Sequence, residues 1–575
     1  MLLRPVLARC RPAAHDTVHV GRLWARSRCP DWSARASRHA GVSIRAAASS
    51  SSSGGGATLR SALLLCGSGG VAGAGLYAYW QTRNEIAEVD LSAPELPLVP
   101  EPAGRFVHPY EEWPWYKRAW FTAKRFVFLV WVFTPFFGAS LVVLANPQSK
   151  SWRDYWLGQM LECTQRAGAA FQKFGQWLSM RPDMFPPDVI ETLSKLRCDS
   201  LSHPGEVSRQ ILHEQLGYDT QELFDEFNEE PVASGSVGQV HRARLRSQFA
   251  LDGQGGKLCD VAVKVRHPGV AESAFMDLSI LWKVVDLSQS VIHMTLPFNR
   301  GEFDEVIQAQ MDFTREAYNL QKFSQNFKGE HRIRFPKVSA KLVTQEVLVE
   351  TWADGKVISN ILEDFDNAKS SCTEAISSLA EKKRVLQLKL CGLLYDMSMK
   401  MMVRDNFVHG DLHGGNILYS EDDDHVTVLD AGIATSLEKK TFHPFGRFLH
   451  ALCSGNTENL VKYLEFFNES SISVNMVEFK QDIQAIMDKF MGPFRENPHL
   501  PVNAADMFGE VMFCMQKYQM LLKGDVASTL FTISISEGLI RQLDPSFDVA
   551  TSAVPYILNY MSFLFTSSDT YLDGK

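Results

Sequence analysis

The sequence has few cysteines for its length, and no two of them form a C-x-x-C pair. Ten cysteines in 575 residues without such a pair argue against a disulfide scaffold and a zinc ribbon. A basic excess is also missing, because 58 Lys and Arg stand against 66 Asp and Glu, for a net charge of −8. Nucleic-acid-binding proteins usually have such an excess, so we expect no nucleic acid among the partners.

The first 60 residues contain no lysine and only two acidic residues, Asp16 and Asp31. Ten arginines and many serines occupy this segment, which includes a Ser/Gly run at 49–56. An Arg- and Ser-rich, acid-poor N-terminus is typical of an organellar transit peptide. We therefore predict a mitochondrial transit peptide and a Ser/Gly linker over 1–60. A plastid signal is less favoured, and a disordered basic arm is the alternative.

Two stretches of twenty residues have no charged side chain, one at 61–80 and one at 126–145. Each has the length of one bilayer crossing. The first predicts a transmembrane helix, with a Gly-rich extension of the presequence as the alternative. The second predicts a membrane-spanning or re-entrant segment, with a helix buried against the following domain as the alternative. Residues 81–125 are predicted to be a linker.

The remaining chain has the pattern of a globular protein. Short β-like runs at 232–265 and 335–350 are followed by apolar residues at helical spacing in 384–404 and 441–545. We therefore predict an α+β fold with a small β-containing N-lobe and a larger helical C-lobe. The predicted boundaries are 146–230 for a helical extension, 231–352 for the N-lobe, 353–550 for the C-lobe and 551–575 for a C-terminal tail.

The segment FVHGDLHGGNIL at 407–418 leads, after an acidic turn, into VTVLDAG at 426–432. Together they contain the pattern H-x-D-x-x-x-x-N followed by D-x-G. Phosphoryl transfer uses these residue types at this spacing: Asp411 would orient or deprotonate the attacking hydroxyl, and Asn416 and Asp430 would ligate Mg²⁺. We therefore predict Asp411 as a catalytic residue and Asn416 and Asp430 as metal ligands.

The same loop has two plainer interpretations. His409 and His413 could be hydrogen-bonded structural residues in a polar loop between apolar runs. They could also ligate Zn²⁺, which is less favoured because no third ligand follows at metal-site spacing. The ordered set of kinase-type positions favours kinase chemistry over both interpretations.

Upstream residues supply the partners that such a loop requires. VAVK at 261–264 predicts a strand lysine, Lys264, that holds the α- and β-phosphates. Glu316 lies on a helical pattern and is the natural ion-pair partner of Lys264, so both are predicted to be catalytic. Glu350 follows a β-run and is predicted to lie in the hinge that binds adenine.

A loop of small residues between two β-runs precedes Lys264 by about thirty residues. Backbone N–H groups in such a loop can approach phosphate closely. With Lys264 and Glu350, its residues make up the predicted cofactor-binding set: Ala233, Ser234, Gly235, Ser236, Gly238 and Gln239.

Taken together, these motifs resemble the UbiB/AarF family of atypical kinases. In chain order they are K-x-G-Q at 173–176, A-S-G-S-V-G-Q at 233–239, V-A-V-K at 261–264, D-F-x-x-E-A at 312–317, H-G-D-x-H-x-G-N at 409–416 and D-A-G at 430–432. The D-A-G sequence and the apolar segment before K-x-G-Q are most similar to a mitochondrial subtype of that family. The resemblance implies an atypical protein-kinase-like fold, ATP and Mg²⁺ as cofactors, and attachment to the mitochondrial inner membrane.

The resemblance also implies a role in ubiquinone (coenzyme Q) biosynthesis and lipid metabolism. The implied partners are membrane lipids, and ubiquinone-biosynthesis enzymes or quinone precursors. Lys173 and Gln176 would lie on a K-x-G-Q helix that folds across the active site and contributes to cofactor binding. Such a helix would restrict a protein substrate and favour ATPase-like or small-molecule chemistry.

Two alternatives to that function stay open. The loop containing Asp411 and Asn416 also resembles that of aminoglycoside and choline kinases, which predicts a small-molecule kinase for a lipid or quinone precursor. A non-catalytic, nucleotide-gated scaffold for a biosynthetic complex is the other alternative.

Overall fold

The computed structural model describes most of the chain from residue 99 onward. The described residues are 99–101, 112–179, 185–196, 202–249, 259–292, 300–369, 377–470, 472–496, 504–547, 549, 552–553 and 555–556. They belong to one compact unit, Ala87–Lys575. The predicted transit peptide at 1–60, the predicted helix at 61–80 and most of the predicted tail at 551–575 lie outside the described residues.

One long helix, α1 (Trp115–Ala145), contains the second uncharged stretch. It begins inside the predicted linker 81–125, ahead of the predicted start at 126. The physical reason is that no glycine or proline interrupts the chain between Trp115 and Pro135. Among the described residues, α1 is the helix that is long and apolar enough to cross a membrane.

One side of α1 packs on the helices that follow it. These are α2 (Lys150–Ala167), α3 (Ala169–Ser179) and α4 (Pro187–Leu193). Trp156 near the start of α2 donates to Ser140 Oγ at 2.8 Å, and Cys163 near its end lies 3.1 Å from Val132 O. The contacts run in opposite directions along the two helices, so α2 is antiparallel to α1.

The N-lobe contains a six-stranded antiparallel sheet in the order β1-β3-β4-β7-β6, with β2 paired to β3. Its elements are α5 (Gly205–Leu216), α6 (Thr220–Leu223), β1 (Phe224–Phe227), β2 (Ala233–Ser234), β3 (Gly238–Leu245), β4 (Cys259–Arg266), β6 (Val338–Val343) and β7 (Val347–Thr351). The sheet begins at Phe224, before the predicted N-lobe boundary at 231, because Phe224 is buried in the core that joins the sheet to α5.

Three helices separate β4 from β6: α7 (Val270–Ile292), α8 (Arg300–Gln310) and α9 (Phe313–Asn326). Asp312 caps α9 by accepting from Thr314 N at 3.0 Å, which satisfies one of the N–H groups that a helix start leaves without a partner. Phe323 on α9 is fully buried, and its ring centroid lies 4.6 Å from that of Phe407. Helix α9 therefore joins the N-lobe to the core of the C-lobe.

The C-lobe is mostly helical and also contains short strands. Its elements, with β5 (Ile333–Arg334), are β8 (Lys356–Val357), α10 (Ile358–Lys369), α11 (Ser377–Met399), β9 (Val408–His409), β10 (Ile417–Ser420), β11 (His425–Val428), β12 (Ala434–Thr435), α12 (Lys439–Ser454), α13 (Thr457–Phe466), α14 (Met476–Glu496), α15 (Ala504–Lys517) and α16 (Gly524–Leu543). One sheet has the order β5-β11-β10-β8, and β9 pairs with β12. The predicted α+β class, with a small sheet lobe and a larger helical lobe, is confirmed.

Candidate active site

The alternation of side chains along β4 decides which residues face the cleft between the lobes. Val261, Val263 and Val265 are fully buried in the core between the sheet and α5. Because successive side chains point to opposite faces of a strand, Lys264 projects from the other face. Its cross-strand neighbour Leu348 belongs to the core of the C-lobe, so this face looks toward the C-lobe.

Lys264 binds two glutamates in the cleft. Its Nζ donates to Glu316 Oε1 on α9 and lies 3.3 Å from Glu350 Oε1 on β7. Both glutamates are almost completely buried, at 4% and 3% exposed. The lysine–glutamate pair that a kinase-type cleft requires is therefore formed, and a second glutamate joins it.

The structure corrects the predicted position of Glu350. This residue lies inside β7, opposite Ala262 and Val338 on the neighbouring strands, and its side chain points to Lys264. The hinge begins after Thr351, because β7 ends there. The sequence pattern places the end of the β-run at Val349, whereas the strand ladder continues through Glu350 to Thr351.

Asp430 completes what we call the cleft cluster, which consists of Lys264, Glu316, Glu350 and Asp430. Burial would raise the pKa of Asp430, but the positive charges of Lys264 and Lys173 and the nearby His409 hold it below its usual range. Asp430 nevertheless remains exposed to solvent. An ionised, accessible carboxylate is suited to a divalent cation.

The cluster contains more negative than positive charge. Burial, together with the carboxylates of Asp430 and Glu350, raises the pKa of Glu316 despite its contact with Lys264. Burial also raises the pKa of Glu350. Lys264 and the nearby Lys173 supply two positive charges against three carboxylates, so this arrangement favours an added cation.

The predicted catalytic loop is positioned by His409, which is fully buried. Its Nδ1 accepts from Asp411 N at 3.2 Å, so its Nε2 carries the proton and donates to Leu429 O at 3.2 Å. Asn416 Nδ2 donates to Asp411 O at 3.0 Å, which turns the amide back toward Asp411. The loop thus places Asp411, Asn416 and the residue before Asp430 in one hydrogen-bonded unit, and His409 is a structural residue.

The D-A-G turn has a backbone conformation that few residues adopt. Asp430 has φ of 51°, in the left-handed region that is costly for a residue with a Cβ. Asn319 on α9 donates to Ala431 O at 2.8 Å and holds the turn in place. Glu316 and Asn319 lie on one face of α9, so a single helix positions both Lys264 and the turn that carries Asp430.

The small-residue loop forms a tight turn between β2 and β3. Gly235 N donates to Gly238 O at 2.9 Å. A Cβ on Gly238 would lie 2.6 Å from Val265 O, so only glycine fits there. The Oγ of Ser236 is buried and has no hydrogen-bond partner among the described residues, and the same is true of Oε2 of Glu350. Buried polar atoms without partners are rare, and these two fit a site that binds a polar ligand.

Gln239 does not face the cleft, contrary to its predicted cofactor-binding role. It is fully buried on the opposite face of β3, where Oε1 accepts from His203 N at 2.8 Å and Nε2 lies 2.9 Å from His241 Nε2. Gln239 is the second residue of β3 and pairs with the buried Val265, so it lies on the face away from the cleft although it stands in the loop motif.

Gln239 belongs to a second polar group, which we call the histidine cluster: His203, Ser208, Gln239, His241 and His267. His203 Nδ1 lies 2.7 Å from His267 Nδ1, and His267 Nε2 lies 3.0 Å from Gly235 O in the small-residue loop. A carbonyl only accepts, so His267 Nε2 must donate, and its Nδ1 accepts from His203. His203 Nε2 then accepts from the Ser208 hydroxyl at 2.8 Å. The hydrogen bonds of the cluster are all compatible with neutral histidines. Through His267, the cluster supports the small-residue loop at Gly235.

The K-x-G-Q motif lies on α3, next to the cleft. Ala170 and Trp177 of α3 pack in the same apolar group as Val237 of the small-residue loop. Lys173 is close enough to Asp430 for its charge to lower the pKa of that carboxyl. Gln176 instead donates to Leu196 O at 3.3 Å, within the extension. The structure thus brings Lys173 close to the predicted site. The hydrogen bond of Gln176 to Leu196 lies within the helical extension.

The glycine of the motif has a packing role. A Cβ on Gly175 would lie 2.3 Å from Leu196 Cδ1 and 3.1 Å from Thr164 Cγ2. The first distance is shorter than real Cβ contacts and the second is tight, so an alanine here would displace Leu196 and press on Thr164 of α2. Gly175 therefore allows the close approach that sets the position of Lys173.

The residues present fit a magnesium nucleotide at this cleft. Asp430 is ionised and accessible, and Asn416 donates through its Nδ2 within the loop, so its Oδ1 is the atom that could ligate a metal. Oxygen ligands of this kind suit Mg²⁺. No group of three His, Cys, Asp or Glu among the described residues could hold a metal ion, so the described part of the chain gives no support to a zinc site at His409 and His413.

Two functional features were not predicted. Asn319 holds the D-A-G turn, and its spacing of three from Glu316 on a helical pattern was a usable signal. The histidine cluster joins residues far apart in the chain, and no local pattern indicates it.

Residues 196–464 match the model of the ABC1 atypical kinase-like domain. This part of the chain is an ABC1 atypical kinase-like domain, the domain of the UbiB family. The match begins after α3, so Lys173 and Gln176 lie outside it. The suspected family and the kinase-like fold are thereby confirmed.

Relatives in other organisms agree with this assignment. The probable serine/threonine-protein kinase abkC of Dictyostelium discoideum is 26% identical over 74% of this chain and 68% of that protein. An ABC1 family protein of Saccharomyces cerevisiae, described as mitochondrial, is 24% identical over 70% of this chain and 68% of its own length. A mitochondrial ABC1 family protein of Schizosaccharomyces pombe is 24% identical over 70% of this chain and 65% of its own length.

A solved Mycobacterium tuberculosis protein in complex with erythromycin is also similar. It is 22% identical, with a TM-score of 0.44, over 68% of this chain and 93% of that chain.

Proposed function

We propose that this chain is an Mg-ATP-binding atypical kinase or ATPase of mitochondria that supports ubiquinone biosynthesis and lipid metabolism. The observation that carries the proposal is the convergence of Lys264, Glu316 and Asp430, from three separate elements, on one cleft. The mitochondrial location is supported by the transit-like N-terminus and by two yeast relatives described as mitochondrial. The ubiquinone and inner-membrane parts depend on the family resemblance.

Each side chain has a defined role in this proposal. Lys264, held by Glu316, would bind the α- and β-phosphates, and the small-residue loop would cover them. Asp430 and Asn416 would hold Mg²⁺, which neutralises phosphate charge in the transition state. Asp411 would orient the attacking hydroxyl or water, and His409 keeps Asp411 in position.

The proposal is tested by titrating the full chain with ATP in the presence and absence of Mg²⁺. We expect saturable, Mg-dependent binding that Asp430→Asn abolishes. Asp423→Asn is the matched control, because Asp423 is an exposed carboxylate on the turn between β10 and β11. Absence of Mg-dependent nucleotide binding in the unmodified chain would contradict the proposal.

The ubiquinone part requires a separate measurement. Quinone and quinone-precursor levels are compared in cells that carry the unmodified chain or Asp430→Asn at equal abundance. We expect quinone to fall and precursors to rise with Asp430→Asn. Unchanged levels, with nucleotide binding intact in the unmodified chain, would remove this part and leave the nucleotide site standing.

A small-molecule kinase is the second candidate, and the position of α3 favours it over a protein kinase. Helix α3 packs on the small-residue loop and brings Lys173 close to Asp430, so it occupies space where a protein substrate would enter. A nucleotide-gated scaffold is separated from both enzymes by Asp411→Ala. This variant should bind MgATP, and only a scaffold predicts that it also rescues cells lacking the protein.

A further inference from the structure

Helix α1 has two faces with different surroundings. Its buried residues are Leu129, Val132, Ala139 and Val143, which pack on α2 and α7. A second stripe at helical spacing is exposed, with exposed fractions of 68% for Trp120, 66% for Val127, 62% for Trp131 and 62% for Leu141. Trp131 and Leu129 are two positions apart, about 200° around the helix. We call the exposed residues Trp120, Val127, Trp131 and Leu141 the α1 stripe.

The α1 stripe is larger than a soluble surface normally leaves uncovered. It is flanked by further exposed apolar residues on both sides: Phe126, Phe128, Val130 and Phe137. Contiguous apolar surfaces of this kind mark sites that bind a protein or a membrane. The chemistry of α1 decides between the two.

Three features of α1 favour a lipid surface. The helix contains no acidic residue, and its first turn carries Lys117 and Arg118, which would attract anionic headgroups. Trp115, Tyr116 and Trp120 stand exposed at the same end, and Trp and Tyr are enriched at membrane–water interfaces. From Phe126 to Leu141 the exposed side lacks charged side chains, unlike the polar rim of a protein interface.

The packing of α2 decides how α1 can enter the membrane. Arg166 on α2 stands over the ring of Trp131 at 5.1 Å and pairs with Glu162 at 3.4 Å, and both charged side chains are about half exposed. Trp131 lies at the middle of α1, so a crossing by α1 would bring this charged pair to the centre of the bilayer. Charged side chains at that depth are strongly disfavoured.

The far side of α1 is tied to the domain along its length. Arg125 donates to Asp277 on α7 at 2.7 Å, and Trp156 on α2 donates to Ser140 near the other end. Helix α1 cannot leave these contacts to cross a bilayer without exposing the buried Asp277 carboxylate. The exposed stripe, by contrast, can enter lipid while the Arg125–Asp277 and Trp156–Ser140 contacts stay intact.

We propose that α1 lies in the plane of the membrane–water interface, with the α1 stripe in the acyl region and α2 on the water side, and does not cross the bilayer. This inference deepens the membrane part of the proposed function and does not depend on nucleotide chemistry. It also places the extension that carries Lys173 at the lipid surface, because Phe171 on α3 contacts Phe133 on α1 at 5.4 Å between ring centroids.

The test measures depth at three points along α1. An environment-sensitive fluorescent amino acid replaces Trp120, Trp131 or Leu141, one at a time, in the full chain. The control position is Val477, an exposed apolar residue on α14. Each protein is mixed with phosphatidylcholine–phosphatidylglycerol vesicles whose acyl chains are brominated either near the headgroup or near the chain end.

An interfacial helix predicts that bromine near the headgroup quenches all three α1 positions to the same extent and leaves Val477 unquenched. A crossing helix predicts graded depth, with Trp131 quenched most by bromine at the chain end, and this result would overturn the proposal. Absence of quenching at all three positions would also overturn it and would favour a protein, such as a second copy, as the occupant.

A second variant pair checks that the stripe drives binding. Val127→Glu with Leu141→Glu should lower vesicle association of the full chain several-fold, measured by the fluorescence of a label at Trp120. Val385→Glu with Val477→Glu, which changes exposed apolar residues on α11 and α14, should leave it unchanged. MgATP binding is measured without vesicles, so a failed nucleotide site and a failed membrane surface give different results.

Discussion

Two polar clusters lie on opposite faces of the N-lobe sheet, one charged and one neutral. The cleft cluster gathers one lysine and three carboxylates, and within the described part of the chain the buried Oε2 of Glu350 has no hydrogen-bond partner. The histidine cluster uses neutral rings, and its described hydrogen bonds close on one another and on backbone carbonyls. The first cluster is incomplete without a ligand, whereas the second is complete in the protein alone.

The difference teaches how one sheet supports both binding and stability. Charged groups with surplus charge are costly to bury, and a bound cation or phosphate reduces that cost. A neutral network that satisfies its own donors and acceptors makes the surrounding structure rigid. His267 links the two, because it bonds Gly235 O in the loop that would cover the phosphates.

The largest expected effect comes from removing the one cation of the cleft cluster that the sheet provides. Lys264→Met should abolish MgATP binding and lower the free energy of unfolding by about 3–5 kcal/mol, because buried carboxylates lose their partner. Isothermal titration measures MgATP binding, and urea unfolding measures the free energy of unfolding. Lys341→Met, at an exposed position of β6, is the matched control. It should change neither MgATP binding nor the free energy of unfolding. If Lys264→Met bound MgATP as tightly as the unmodified chain, the cleft cluster would not need its lysine, and the contrast between the two clusters would be wrong.

The surplus negative charge of the cleft gives a second prediction. Glu350→Gln should raise the affinity for ATP without metal about tenfold, or ~1.4 kcal/mol, because the phosphates face one carboxylate fewer. The ratio of affinities with and without Mg²⁺ should fall accordingly. Glu226→Gln on the exposed surface of β1 is the control. An unchanged ratio would mean that Glu350 is protonated or too distant to act on the phosphates.

The sequence analysis recovered the charged cluster better than the neutral one. Lys264, Glu316 and Asp430 stand in motifs whose spacing reflects a shared chemical task, and the structure brings them together. Glu350 and Gln239 were misplaced because strand ends are hard to locate, and a shift of one residue moves a side chain to the other face. The histidine cluster depends on the fold to bring residue 203 next to residue 267.

The start of α1 was also difficult to predict from the sequence. The charge-free stretch at 126–145 was visible, but the helix begins at Trp115, since charged residues such as Lys117 and Arg125 continue a helix as well as apolar ones do. The antiparallel packing of α2 on α1 is a tertiary fact, and no pattern in either segment indicates it.

A third prediction concerns the neutral cluster alone. Gln239→Leu should lower the free energy of unfolding by about 1–3 kcal/mol, because His203 N and His241 Nε2 lose their partner in a buried site. Gln210→Leu, on the exposed side of α5, is the matched control. MgATP affinity should change less than with Lys264→Met. A loss of binding as large as that of Lys264→Met, with stability unchanged, would show that Gln239 acts in the cleft after all.

The smallest expected effect is a loss of stability at acid pH that comes from the neutral cluster. Burial, with His267 and His241 nearby, lowers the pKa of His203 to about 4, and burial also lowers the pKa of His241 and His267. Unfolded histidines titrate near 6.5, so between about pH 6.5 and 4 the unfolded chain binds protons that the folded chain does not. Stability should therefore be complete above pH 6.5 and fall as the pH drops toward 4.

Thermal unfolding of the full chain at a series of pH values measures this loss, and His203→Gln is the comparison. An added proton on His203 Nε2 would oppose the Ser208 hydroxyl that donates to it, whereas glutamine has no such titration. The melting temperature of the variant should decline less between pH 7 and pH 5 than that of the unmodified chain. Equal declines would show that the loss comes from other groups, and the cluster would then be neutral for a reason other than the hydrogen bonds described.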